Sequence, residues 1–122
     1  MNHVALAVLV LAAAGDLWFV RALQPTTLRS GAILALWLLT PLVMAAAWLR
    51  ASQRSRAQSA AAGIVTTLVA AGGASFLIDA IYVHPDAQGA IAVVFAPIYQ
   101  MGALVVLAPL SGWIASRVRR SR

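Results

Sequence analysis

Residues 31–49 read GAILALWLLTPLVMAAAWL, and residues 50–56 that follow read RASQRSR. Nineteen positions without a charge, ending in Trp48 and a cluster of three arginines, have the length and composition of a membrane-crossing helix and its interfacial stop. A soluble chain of 122 residues has no interior large enough to bury such segments, because small domains keep a large fraction of their surface in contact with solvent. The whole composition agrees with this stretch. The chain is 62% hydrophobic and 10% charged, against roughly half apolar and about a quarter charged for ordinary soluble domains.

Outward from this segment the same pattern recurs. Spans are expected over about residues 4–23, 31–49, 60–83 and 88–116. Pro25 within Gln24-Pro25-Thr26-Thr27 ends the first, since proline has no N–H with which to continue the helix. His84-Pro85-Asp86 makes the turn after the third, with Asp86 as the expected N-cap of the fourth. The fourth span is long and contains Pro97 and Pro109, so it is expected to tilt or kink. The apolar runs are continuous and rich in Ala and Leu, without the period-two alternation of barrel strands. The expected fold is one all-α integral membrane domain, residues 1–122, a four-transmembrane-helix bundle with short loops.

The apolar stretch from Val4 to Ala14 has the length of a signal-peptide core. No Arg or Lys precedes it, however, and apolarity resumes beyond Asp16, so it is read as a retained first span. Orientation follows from arginine placement. Arg50, Arg54, Arg56, Arg117, Arg119, Arg120 and Arg122 fall on one side of a four-span chain; Arg21 and Arg29 fall on the other. Positive residues stay in the cytoplasm, which predicts N-in and C-in, with Trp48 and Trp113 as anchors at the cytoplasmic interface. The expected location is the bacterial inner membrane. The cytoplasmic face is expected to attract anionic lipid, at about 1 kcal/mol per arginine near the surface. A parallel two-hairpin repeat is a further expectation. Leu39-Thr40-Pro41-Leu42 and Leu107-Ala108-Pro109-Leu110 each lead to a tryptophan and an Arg-rich end, and Pro25 and Pro85 close the first and third spans.

Chemistry-bearing residues are few. The formal net charge is +6, from nine Arg and three Asp, without Lys or Glu. The arginines flank apolar runs instead of lining an aqueous face, so a nucleic-acid partner is not expected. Without Cys there is no thiolate, disulfide or Cys-based metal site. Without Lys there is no Schiff base, and neither GxGxxG nor GxxxxGK occurs. His3 and His84 are separated by an odd number of spans, so they lie at opposite faces and cannot share one haem. His84, Asp86 and Asp79 form only an unspecific metal-ligand spacing. No enzymatic activity, resident cofactor or metal is expected.

The intramembrane polar residues are Asp16, Asp79, Arg21 and Gln100. A charge at mid-bilayer costs at least about 2.5–3.5 kcal/mol, so such groups face protein or water. Two readings compete for Asp16: a structural ion-pair cluster with Asp79, Arg21 and Arg29, or a proton- or cation-binding point on a transport path. Asp16 and Arg21 point about 140° apart on one helix, so any partners lie on other helices or on another chain. Gln100, near the midplane and one turn from Pro97, is expected to make an interhelical hydrogen bond; a substrate or quinone contact beside Tyr99 is the alternative. Thr40, Thr66 and Thr67 are expected to bond to carbonyls of their own helices. Residues 70–75, AAGGAS, make Gly72, Gly73 and Ser75 candidates for close helix packing and the third span the expected centre of the bundle.

Size, four spans and an acidic residue in the first span resemble the small multidrug-resistance transporters in architecture alone. That family carries a glutamate with its own neighbourhood, whereas Asp16 stands within Ala14-Gly15-Asp16-Leu17-Trp18 and no further motif matches. The asparagine-bearing, glycine-rich signature of fluoride channels is also missing. The leading functional expectation is therefore a non-catalytic membrane protein acting through helix–helix contacts, as an accessory or assembly subunit or a homo-oligomer. A small transporter or channel using Asp16 is the alternative. The orientation has a direct test: alkaline phosphatase fused after Thr26 is expected to be active, and fused after Gln53 or Arg120 inactive.

Overall fold

The computed structural model describes residues 2–84 and 89–121. Among these the chain is entirely helical, with four helices long and apolar enough to cross a membrane. They are α1 (His3–Ala22), α2 (Leu28–Ala51), α3 (Arg56–Ile78), which continues into a π-helical turn (Asp79–Val83), and α4 (Gly89–Arg120). Pro85 and Asp86, expected to form the last turn and cap, lie outside the described residues.

Three helices begin where a side chain can replace the missing backbone acceptor. The Asn2 side chain accepts from Ala5 N at 3.2 Å. Thr27 and Ser30 form a reciprocal capping box, each side-chain oxygen accepting the other's backbone N–H. Ser55 accepts from Gln58 N at 3.2 Å. The last two caps explain why α2 and α3 start earlier than hydropathy implies: polar residues at the span ends, Arg56 and Gln58 among them, are drawn into the helix by the cap. α1 ends as expected before Pro25, with Gln24 in a left-handed conformation (φ 46°). At the far end of α4 the Arg117 guanidinium lies 4.5 Å from the centre of the Trp113 ring.

The apolar interior falls into two clusters at different depths. One joins Ala5, Leu9, Leu42, Leu49, Val65, Val69 and Leu104 toward the arginine-rich ends of the helices. The other joins Phe19, Val20, Leu38, Leu77, Val93 and Ala96 toward the opposite end. Consecutive helices therefore run antiparallel. α3 packs against each of the other three, whereas α1 and α4 make no contact among the described residues. The most apolar window of α3 is 44% buried, against 28% in each of the other helices, which places α3 at the centre of the bundle.

Two prolines sit inside helices with almost no exposure, Pro41 in α2 and Pro97 in α4. Proline inside a helix leaves the carbonyl four residues earlier without its donor. Beside Pro97 the Trp37 indole of α2 donates to Val94 O at 3.1 Å, so a neighbouring helix supplies a donor to the disturbed turn. Thr40 donates to Leu36 O at 2.7 Å, as expected. Thr66 does not follow suit. Its Oγ1 is fully buried and has no hydrogen-bond partner among the described residues.

The depth of packing sets the expected response to truncation. Leu77→Ala, at 2% exposure, should lower stability by about 2–5 kcal/mol. Leu36→Ala, 70% exposed on the lipid-facing side, should stay within about 0.5 kcal/mol of the parent. Denaturant unfolding in detergent micelles, followed by circular dichroism, measures both.

Candidate functional site: a polar level between two apolar clusters

Neither apolar cluster reaches residues 14–18 of α1, 71–76 of α3 or 97–102 of α4. Asp16, Gly73, Pro97 and Gln100 fall in these gaps. Of the polar residues singled out from the sequence, Asp16 and Gln100 thus lie between the clusters, whereas Arg21 and Asp79 lie beyond the second.

Asp16 is 7% exposed and is the one charged side chain buried among the described residues. No described side chain forms an ion pair or hydrogen bond with it. Arg21 and Arg29 are both exposed on the surface. Of the expected cluster of Asp16, Asp79, Arg21 and Arg29, the structure brings no two members into contact among the described residues.

Asp79 instead meets His84, with Nδ1 3.1 Å from Oδ1 and both side chains largely exposed. Residues five apart diverge on an α-helix, which is why periodicity gave no sign of this pair. The π-helical turn changes that. His84 N donates to Asp79 O at 2.8 Å, the i→i+5 pattern, and residues five apart then stack on one face. Tyr82 of the same turn faces α1: it receives a hydrogen bond from the Trp18 indole at 3.3 Å and packs against Phe19 with ring centres 6.1 Å apart.

Gln100 makes the expected interhelical bond. Its Nε2 donates to Val69 O of α3 at 3.2 Å. The partner is a backbone carbonyl, within reach because Gly73 has no side chain; a Cβ at Gly73 would overlap the Gln100 amide. The three small residues of α3 have different surroundings. Gly73 is buried under the amide, Gly72 is exposed with open space around it, and Ser75 is exposed. Gly72, Gly73 and Gln100 line a groove of about 330 Å³ between α3 and α4, bounded by Phe76 and Tyr99. Asp79 is not part of it.

Among the described residues no three His, Asp or Glu side chains come together as metal ligands. The spacing of His84, Asp86 and Asp79 includes a position outside the described residues.

No protein-family model, no curated protein and no solved structure matches this chain.

The Gln100 bond should contribute a modest increment. Gln100→Leu is expected to destabilise the bundle by about 0.6–1.7 kcal/mol, the range of hydrogen bonds between membrane helices. Gly73→Leu should cost more than Gln100→Leu, and Gly72→Leu less than either. The same unfolding measurement ranks the three.

Proposed function

We propose that this chain is a non-catalytic multi-pass membrane protein, oriented N-in and C-in in a bacterial inner membrane. It works through helix–helix contacts, as an accessory or assembly subunit of a membrane complex or as a homo-oligomer. The observation that carries this reading is the outward position of small residues on the two helices that pack most closely together. Gly72 of α3 and Gly102 of α4 are exposed, and a side chain at either would meet nothing within 4 Å. Glycine weakens a helix by roughly 0.5–1 kcal/mol relative to alanine and gives lipid nothing to pack against. On an outer face it suits the close approach of another helix. Residues 23–27 and 52–55 are the only described segments between helices, so most of the surface available to a partner lies within the spans.

A two-hairpin repeat fits this reading. Asp16, Phe19 and Val20 in α1 are matched at one constant spacing by Asp79, Tyr82 and Val83 after α3. Gly31-Ala32-Ile33 and Trp37 are matched by Gly89-Ala90-Ile91 and Phe95, and Pro41 by Pro97 after a deletion of two residues. Pro41 thus pairs with Pro97, both nearly unexposed, in place of the exposed Pro109 expected from the sequence.

The second reading is a small proton- or cation-coupled transporter or channel, supported by the burial of Asp16 in the bundle. An ionisable residue inside a membrane domain is a functional candidate by default. The two readings separate experimentally. In mild detergent, light scattering after size exclusion should give a multimer or a co-eluting complex, and Gly102→Leu should dissociate it. A wild-type monomer overturns the first reading. In reconstituted vesicles, Asp16→Asn should leave ion flux at background in parent and variant alike; flux in the parent that the variant abolishes while still folded establishes the second.

A further inference from the structure

The α3–α4 groove combines features that helix packing alone does not require. Its floor is Gly72 and Gly73, and its walls include Phe76 and Tyr99, whose rings stand edge to face with centres 6.4 Å apart. Phe95 backs Tyr99 at 6.3 Å. The lining is apolar apart from Gln100 and the exposed Tyr99 hydroxyl. Gln100 spends one N–H on Val69 O, which fixes the amide against the α3 backbone. Its second N–H and its Oε1 have no partner among the described residues. A held amide in an apolar groove, with one donor and one acceptor free, is an unmet hydrogen-bonding capacity in a medium that cannot supply water.

A second groove, of about 450 Å³ between α1 and α2, is lined by Leu6, Leu9, Val43 and Ala46 together with Arg50 and Gln53.

We propose that the α3–α4 groove binds the ring of a lipid-soluble quinone or hydroquinone, entering laterally from the bilayer. The ring lies on the Gly72 floor against the Phe76 and Tyr99 faces, as flat aromatic surfaces favour. A ring carbonyl accepts from the free Gln100 N–H; a ring hydroxyl donates to Oε1. A volume of about 330 Å³ is at the lower end of small-molecule sites, so the open groove takes the ring alone and any tail stays in lipid. An acyl chain has neither group and leaves the amide unmet. Binding is all that is assigned; no electron transfer is implied. The groove shares Gly72 with the association surface proposed above, but the two readings fail separately: a monomeric protein that binds quinone would overturn the association and leave this assignment intact.

The test uses the full chain in lipid nanodiscs and decylubiquinone as probe, with binding read by saturable quenching of tryptophan fluorescence. Gly72→Phe fills the groove from a position where a Cβ meets nothing within 4 Å; circular dichroism should show the helix content unchanged, and binding should be lost. Gln100→Leu should weaken it by about tenfold, the effect of roughly 1.4 kcal/mol in a hydrogen bond. Val43→Phe, in the other groove, should leave affinity unchanged. Quenching that never saturates, equal affinity in Gly72→Phe and parent, or equal competition by decylbenzene would each overturn the assignment, the last by showing a site for hydrocarbon alone.

Discussion

Lipid does not hydrogen-bond, and that constraint governs the molecule. Every backbone N–H and C=O within the bilayer must find its partner inside the protein, which leaves the helix as the element available to an open chain. Exceptions need help from a neighbour. Pro41 and Pro97 each remove a backbone donor, and both are sealed inside the bundle. The Trp37 indole reaches from α2 to Val94 O, next to the Val93 carbonyl that Pro97 leaves without its helical donor, and so ties this turn of α4 to α2.

The same constraint sorts the side chains. Gln100 reaches a carbonyl of α3 because Gly73 lets the two backbones approach, so the bond and the glycine depend on each other. Apolar side chains fill two clusters above and below this level, and the polar groups occupy the gaps between them. Dispersion forces and shape hold the clusters together, since lipid tails are as apolar as leucine and give no hydrophobic drive between helices. Asp16 shares the gap as a carboxylate turned inward, a placement that excludes lipid from it and leaves the bundle itself as its environment.

How much of this was written in the amino-acid order differs from feature to feature. The four spans were legible because the runs of apolar residues are long and the arginines mark their ends. The starts of α2 and α3 were not, because Thr27 and Ser55 recruit polar residues that hydropathy assigns to loops. Gln100 was legible as an interhelical donor, a single amide surrounded by apolar residues. Gly72, Gly73 and Ser75 looked like one packing surface, yet consecutive residues on a helix point about 100° apart. Gly73 accordingly faces α4, while Gly72 forms the groove floor. The Asp79–His84 pair was hidden by the assumption of α-helical spacing, since a π turn has no evident signature in this sequence.

Two carboxyl groups at matching places in the proposed repeat have different surroundings. Asp16 and Asp79 occupy equivalent places in the proposed repeat, each followed three and four residues later by an aromatic residue and a valine. α1 remains α-helical through Asp16, which is 7% exposed. The widened turn begins at Asp79, whose side chain is 59% exposed and has His84 beside it. Asp79 is still α-helical, with its N–H bonded to Ser75 O, so its outward direction is set by α3; the wide turn that follows brings His84 round beside it. Among the described residues the interior keeps one carboxyl group, Asp16. The two hairpins are thus unlike where chemistry is concerned: the first contributes the buried carboxylate, the second the amide-lined groove.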